Sequence, residues 1–248
     1  AKNNGFGSKT MHRRRKIRSG KTGLPPGALV HIGDKLAETA KVTLIDYDGE
    51  RLEEKSVQSV RELEVYRDRS TVSWIQVDGI HDTAMLEQLG SVFGLHSLIL
   101  EDILNTDQRP KMEDLGGYLF IVLKKFCAGA DRNGDFASEQ ISVILGPGYV
   151  ISLREKEDRL FDPLRERIRT GKGRMRKAGA DYLAYSIIDL IVDSYFSVLE
   201  TLGERIEREE EALVGRPVER TLHAIQRLKR DLIDLRKAVW PLRETIAA

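Results

Sequence analysis

The run Tyr118-Leu119-Phe120-Ile121-Val122-Leu123 decides the fold class, because six consecutive apolar residues are typical of a central strand that is buried on both faces. Shorter β-rich runs surround it at residues 41–47, 71–77, 139–145 and 149–153. A strand buried on both faces needs a layer of helices on each side. The sequence therefore predicts a mixed sheet flanked by helices, in an α+β or three-layer arrangement.

Helical patterns appear between these strands and dominate the second half of the chain. Residues 83–93 place apolar side chains on one helical face, and Gly94 follows as a stop signal. Residues 181–213 form one long helical pattern, which Gly215-Arg216-Pro217 interrupts. We expect a final helix after this break.

The final helix carries a single apolar stripe with an average spacing of 3.5 residues, the period of a coiled-coil seam. Such a stripe has to pack on something, and the sequence leaves two partners open. One is another helix of the same chain, and the other is a second copy. The stripe comprises Val218, Leu222, Ile225, Leu228, Leu232, Leu235, Val239, Leu242 and Ile246.

The formal net charge of +1 hides an uneven distribution of charge along the 248 residues. Residues 1–21 contain eight Lys or Arg and no acidic residue, so the rest of the chain holds 32 basic and 39 acidic residues. We expect residues 1–24 to form a disordered basic arm, since they contain too few apolar side chains for a core. Such arms bind nucleic acid or anionic lipid in some proteins, but no aromatic residues interleave the basic cluster here.

The residue types needed for common catalytic sites are missing or wrongly spaced. Cys127 is the only cysteine, which excludes an internal disulfide and a cysteine-based zinc site. The five histidines include no pair at metal-ligand spacing, and the sequence has no nucleophile elbow or phosphate-binding glycine loop. We therefore expect that the protein is not an enzyme.

Carboxylates within apolar helical segments are the most informative polar residues. Glu101 and Asp102 lie within a short apolar helix, and Asp189 and Asp193 lie one turn apart in the long one. Because an unpaired buried carboxylate is costly, the simplest interpretation is that arginines pair with them. The alternative is a site for a hard divalent cation, which prefers carboxylate oxygens.

Six stretches, in the same order along the chain, resemble the CorA family of magnesium and cobalt transporters. The resemblance covers about residues 25–248 and leaves the basic arm unmatched. The stretches are HSLILEDILN at 96–105, QRPK at 108–111, YLFIVLK at 118–124, FDPLRERI at 161–168, ADYLAYSIID at 180–189 and LRKAVWPLRE at 235–244.

The resemblance implies the cytosolic N-terminal portion of such a transporter. That portion is a three-layer α/β/α sandwich, expected here at 25–160, followed by a helical hairpin region at 161–214. Residues 215–248 would begin a stalk helix that runs into the membrane. The pore with its Gly-Met-Asn signature would follow Ala248, so we expect a soluble, cytoplasmic fragment of a homopentamer of the inner or plasma membrane.

The resemblance also implies regulatory Mg²⁺ sites between neighbouring subunits, which Co²⁺ could share. Glu101, Asp102 and Asp189 match the carboxylates of these sites, and the remaining ligand would lie beyond Ala248. Mg²⁺ bound there would hold neighbouring domains together and keep the channel closed. A zinc-transporting relative is the alternative within the family, and a soluble nucleic-acid-binding protein that uses the basic arm is the less favoured alternative outside it.

Overall fold

The computed structural model describes Gly23 and residues 25–127, 136–215 and 219–247. Apart from Gly23, the expected basic arm at 1–24 lies outside the described residues. The strands are β1 Lys41–Tyr47, β2 Leu52–Val57, β3 Val72–Asp78, β4 Lys111–Asp114, β5 Leu119–Cys127, β6 Ala137–Leu145 and β7 Tyr149–Arg154. The helices are α1 Thr83–Phe93, α2 Ser97–Leu104, α3 Asp162–Thr170, α4 Ala180–Gly215 and α5 Glu219–Ala247, with short 3₁₀ helices at Val60–Tyr66 and Met175–Lys177.

The strands form one seven-stranded sheet in the order β2-β1-β3-β7-β6-β5-β4. Only β3 and β7 run parallel to each other, and every other neighbouring pair is antiparallel, so the prediction of a mixed sheet is confirmed. Residues 120–123 are buried on both faces, as their composition predicts. Their strand, β5, lies next to the β4 edge rather than at the centre, because the helical layers extend across the sheet to that strand.

Alternation along β5 sends its side chains into two separate cores. Phe120 and Val122 pack with α1 and α2 on one face of the sheet. Ile121 and Leu123 pack with α3, α4 and α5 on the other face. The three-layer α/β/α sandwich is therefore confirmed, with α1 and α2 separated from α4 by the full thickness of the sheet.

The ends of α1 follow from capping chemistry at residues that the sequence supplies. The Asp82 side chain accepts a hydrogen bond from the Met85 backbone N–H at 3.0 Å and caps the first turn. Gly94 ends the helix in a left-handed conformation with φ of +67°, as the sequence predicts. These two residues fix where α1 starts and stops.

Helices α4 and α5 form an antiparallel hairpin. Three residues of sequence separate the two helices, and Arg205 of α4 donates to Asp231 of α5 at 2.9 Å, at similar distances in sequence from that interval. The predicted apolar stripe divides into two rows in this packing. Leu228, Leu235 and Leu242 are buried. The row Ile225, Leu232 and Val239 is 41–42 % exposed, and Leu222 is 57 % exposed.

One row of the stripe thus packs within the chain, in the core that α5 shares with α4 and the sheet. The stripe residues Val218 and Ile246 lie outside the described side chains. The end of α5 returns to the sheet, where Leu242 joins the same core as Leu123 of β5. The boundaries expected at 160 and 214, and the assignment of 215–248 to a stalk, stay predictions.

Helix α4 is also apolar over an unusual length. Within it, Ala180–Glu211 is long enough to cross a membrane and contains an 18-residue window with a mean hydropathy of 1.4, which is apolar enough to do so by composition. In this structure Leu183, Ile187 and Ile191 of that stretch are fully buried against the sheet. Packing on the sheet therefore accounts for part of the apolar character of α4, since 39 % of the apolar window is buried.

A buried ion pair joins the ends of the two parallel strands. Arg154 of β7 contacts Asp78 of β3 at 2.6–2.7 Å, and both side chains are at most 3 % exposed. Burial raises the pKa of the Asp78 carboxyl, and Arg154 opposes that shift. The Arg154 guanidinium also lies 4.4 Å from the centre of the Phe161 ring and donates to Asp158 at 2.9 Å. This arginine therefore links β3, β7 and the start of α3.

Replacing Arg154 with methionine should lower the free energy of unfolding by about 3–5 kcal/mol, because Asp78 would be left charged and buried without its partner. Urea denaturation measures this change. The control Arg208→Met removes the 3.4 Å pair with Glu204, whose side chains are 68 % and 69 % exposed. It should cost less than about 1 kcal/mol. Equal effects of the two substitutions would contradict the structural role of Arg154.

Replacing Gly94 with alanine should destabilise the protein by about 1–2 kcal/mol, because the left-handed conformation strains a residue that has a Cβ. A Cβ there would meet nothing closer than Arg67 at 3.8 Å, so strain alone is measured. The control is Gly49→Ala in the β1–β2 turn, where a Cβ meets nothing within 4 Å and φ is not positive. Thermal unfolding of both variants measures the loss of stability at each glycine. An unchanged stability of Gly94→Ala would contradict the predicted strain at Gly94.

Candidate functional site

Helix α2 carries Glu101 and Asp102 and is held against the end of the sheet. Its apolar residues, among them Ile99 and Ile103, are buried in the core that it shares with α1. The Gln140 side-chain amide of β6 donates to the backbone carbonyls of Asp102 and Ile103, at 3.1 and 3.4 Å. These carbonyls belong to the last turn of α2, where the helix offers no partner of its own. Gln140 therefore fixes the position of both carboxylates relative to the sheet.

Asp102 is engaged at both of its carboxylate oxygens. The Lys111 ammonium, at the start of β4, lies 2.5 Å from Oδ2. The Gln108 side-chain amide donates to Oδ1. The predicted arginine partner is replaced here by a lysine and an amide. Asp102 is 23 % exposed, so water still reaches part of the group.

Lys111 is shared between two carboxylates, since it also lies 2.6 Å from Glu113 on the same strand. Burial lowers the pKa of the Lys111 ammonium, but the hydrogen bonds to Asp102 and Glu113 outweigh burial and raise the pKa above its ordinary value. The lysine is therefore charged at neutral pH. Together with Glu101, the group has three carboxylates and one ammonium.

Glu101 ties the segment before β1 to α2. Its Oε2 accepts a hydrogen bond from the Gly27 backbone N–H at 2.7 Å. Gly27 has a φ of +84°, and a Cβ at this position would lie 2.8 Å from Oγ of Ser97. Only glycine fits this close approach without a shift. Part of the Glu101 carboxylate thus has a structural role.

Asp189 lies on the exposed face of α4, whose opposite face packs on the sheet. Among the residues that the structure describes, no hydrogen bond or ion pair to its carboxylate is present. Tyr185 and Phe196 lie on the same side of the helix and are 60 % and 62 % exposed. Asp193, one turn later, is also exposed. Asp189 needs no arginine because water solvates it.

The three predicted metal ligands do not meet within one chain. Glu101 and Asp102 belong to the helical layer on one face of the sheet, and Asp189 belongs to the layer on the other face. Within the described ranges, no group of three or more His, Cys, Asp or Glu side chains is placed to hold a metal ion. Carboxylate oxygens suit Mg²⁺, but within one chain Asp189 cannot contribute to the same ion as Glu101 and Asp102.

Sequence reasoning missed Lys111, Gln108 and Gly27, which contact the predicted ligands. Gln108 and Lys111 lie within a stretch that resembles the transporter family, but no periodic pattern links them to Asp102. Their contacts arise because the chain turns back after α2 and enters β4. Gly27 meets Glu101 across 74 residues of sequence, a separation for which the sequence gives no signal.

Comparison with known proteins points to one family. The family described as CorA-like Mg2+ transporter protein matches residues 69–248. The chain is 45 % identical over 231 residues to the cobalt/magnesium transport protein CorA of Thermotoga maritima. This match covers 93 % of the chain but 65 % of the relative, so the chain spans slightly less than two thirds of that protein.

Solved structures share the fold at lower identity. The complete CorA magnesium transporter from Methanocaldococcus jannaschii superimposes with a TM-score of 0.64 at 17 % identity, over 86 % of this chain and 62 % of that one. The ZntB cytoplasmic domain from Vibrio parahaemolyticus superimposes with a TM-score of 0.56 at 15 % identity, over 80 % and 75 % of the two chains. At these identities the likeness supports the α/β/α fold alone.

Replacing Glu101 with alanine should release the segment around Gly27, because it removes the acceptor of the Gly27 N–H. Hydrogen exchange measures this, and the Gly27 amide should exchange at least about fivefold faster, as expected for a lost hydrogen bond of about 1 kcal/mol. Glu101→Gln keeps an acceptor oxygen and should preserve most of the protection. Glu113→Ala is the control, and equal exchange at Gly27 in all variants would contradict the tether.

Proposed function

The chain belongs to the family of CorA-like Mg²⁺ transporter proteins, and from that premise we propose that it is the divalent-cation-sensing portion of a CorA-type Mg²⁺/Co²⁺ transport protein. The observation that carries the proposal is the placement of the predicted ligands on opposite sides of the sheet. Glu101 and Asp102 lie on one outer surface, and Asp189 lies on the other.

This placement favours a site shared between copies of the chain. If the α2 surface of one copy met the α4 surface of the next, Glu101 and Asp102 would approach Asp189 of the neighbour. Such a contact joins two different surfaces, and repeated contacts of this kind close into a ring when the rotation permits. A cyclic homo-oligomer, a pentamer by family resemblance, is therefore the assembly that we propose.

The surroundings of Asp189 support a role in such an interface. Tyr185 and Phe196 expose 60 % and 62 % of their area on its side of α4, and Leu199 exposes 47 %. Exposed apolar side chains grouped on one face indicate a surface that binds another protein. Aromatic residues are enriched at the centres of such interfaces. The carboxylate would thus lie within the contact between subunits.

Mg²⁺ is the ion that these residues fit best. The three ligands that we propose are carboxylates, which hard divalent cations prefer, whereas zinc sites in proteins draw mainly on His and Cys. Co²⁺ could occupy the same oxygens. The likeness to ZntB extends to the fold and supplies no ligand that favours zinc. The transported ion is a separate question, because the pore of such a transporter would select it, and these carboxylates would not.

The sensing mechanism follows from charge and linkage. Without the ion, the facing carboxylates of neighbouring subunits repel each other, and a bound divalent cation reverses the sign of that interaction. An ion that binds the closed ring better than the open ring favours closure by its difference in affinity. When the internal Mg²⁺ concentration falls, the ions dissociate and the subunits separate. The helices beyond the sandwich would carry this motion to a membrane-spanning pore, with the domain in the cytoplasm.

Two aspartates on α4 provide a matched test. We expect Mg²⁺ to protect the full-length protein, expressed from its sequenced gene, against trypsin. Asp189→Asn and Asp102→Asn should each raise the Mg²⁺ concentration needed for half protection by about tenfold or more. Asp193→Asn, on the same exposed face one turn away, should leave it unchanged.

Each outcome of this test assigns a role. Unchanged protection in Asp102→Asn removes Asp102 from the sensor, and unchanged protection in Asp189→Asn removes the α4 surface. Equal losses in Asp189→Asn and Asp193→Asn would indicate a general loss of negative charge rather than a site. A full-length protein without membrane-spanning segments would end the transport proposal altogether.

A further inference from the structure

An ammonium group already occupies the carboxylate at the centre of the proposed sensor. Lys111 lies 2.5 Å from Asp102 and 2.6 Å from Glu113, so it holds a positive charge where the carboxylates are concentrated. Gln108 engages the other oxygen of Asp102. A cation that arrives at Asp102 therefore meets a site whose negative charge is partly neutralised from within the chain.

We propose that Lys111 is an internal competitor of the divalent cation, and that its ammonium must leave Asp102 before the ion binds there. This inference rests on the proposed function, since it concerns the same carboxylate. Lys111 would then lower the apparent affinity of the site for Mg²⁺ and so set the Mg²⁺ concentration at which the sensor responds.

The charges explain why a divalent ion would win this competition. Glu101, Asp102, Glu113 and Lys111 together carry a net charge of −2 at neutral pH. One Mg²⁺ neutralises this charge and leaves the lysine free to move. A monovalent ion that displaced the ammonium from Asp102 would only exchange one single charge for another, and would gain little. Displacement thus favours divalent over monovalent cations.

The geometry makes the displacement feasible. Lys111 is 28 % exposed, and Glu113 is 42 % exposed on the same strand. The ammonium can therefore leave Asp102 and keep Glu113 or water as its partner, so no buried charge is stranded. Because the pair is partly exposed, it stabilises the ion-free form by a modest amount, which a divalent cation can exceed.

The first experiment measures whether Lys111 is released. Lysines in the purified full-length protein are acetylated with a soluble amine reagent, with and without MgCl₂, and peptides are quantified by mass spectrometry. We expect Mg²⁺ to increase the rate at Lys111 and to leave Lys41 unchanged, since Lys41 pairs with Glu157 at 3.0 Å away from α2. An equal rate at Lys111 with and without saturating Mg²⁺ overturns the proposal.

The second experiment measures the competition itself. Thermal unfolding of the full-length protein is followed across a series of Mg²⁺ concentrations. Lys111→Met should lower by about fivefold the Mg²⁺ concentration that gives half of the maximal shift in unfolding temperature. A fivefold change corresponds to the loss of a partly exposed ion pair of about 1 kcal/mol. Lys111→Arg retains the charge and should stay near the wild-type value, and Lys41→Met is the control variant.

The variants separate failure of this inference from failure of the proposed function. If Asp102→Asn loses the Mg²⁺ response but Lys111→Met matches the wild type, Lys111 is no competitor and the sensor proposal stands. If Asp102→Asn keeps the full response, Asp102 is not a ligand and both proposals fail at this residue. If neither the wild type nor Lys111→Met responds to Mg²⁺, both proposals are overturned for this chain.

Discussion

The need to cover both faces of one sheet is the constraint on which the rest of the structure depends. Phe120 and Val122 point into one core and Ile121 and Leu123 into the other, and all four are at most 3 % exposed. Burial of each such side chain stabilises the fold by about 1.5–3 kcal/mol. Several strands share this pattern, whereas the net stability of a whole domain is only about 5–15 kcal/mol. Leaving the side chains on one face of the sheet exposed to water would therefore cost more than the domain's net stability. A helical layer on each side is therefore required, and it determines where every other residue can lie.

That constraint also shapes the proposed site. Helix α2 has to lie on one face and α4 on the other, so Asp102 and Asp189 are separated by the sheet within a single chain. Carboxylates arranged in this way cannot bind one small ion together, although neighbouring copies in a ring could combine them. The same packing brings β4 beside α2 and places Lys111 against Asp102. An internal ammonium and an external cation would then compete for one carboxylate.

Local patterns predicted much of the architecture. Alternation and apolar runs predicted β1, β3, β5, β6 and β7, and Gly94 ends α1 where it was predicted to do so. Alternation, apolar runs and helix stop signals are reliable because each depends on residues that lie only a few positions apart in the sequence. The position of β5 beside the edge strand was not predicted, since burial on both faces does not reveal the order of strands. The apolar stripe of α5 likewise did not reveal that only the row containing Leu228 is buried.

The sequence by itself indicated a mixed sheet in an α+β or three-layer arrangement, and six short stretches carried the resemblance to a transporter family. That resemblance implied the three-layer sandwich and selected Glu101, Asp102 and Asp189 as candidate ligands. Only the tertiary structure decided which residues meet those carboxylates. Gly27 contacts Glu101, and Lys111 contacts Asp102, across separations of 74 and 9 residues that obey no local period. Such contacts arise from the way the layers pack, because the chain returns to α2 from both directions only once the sheet and its helices have assembled.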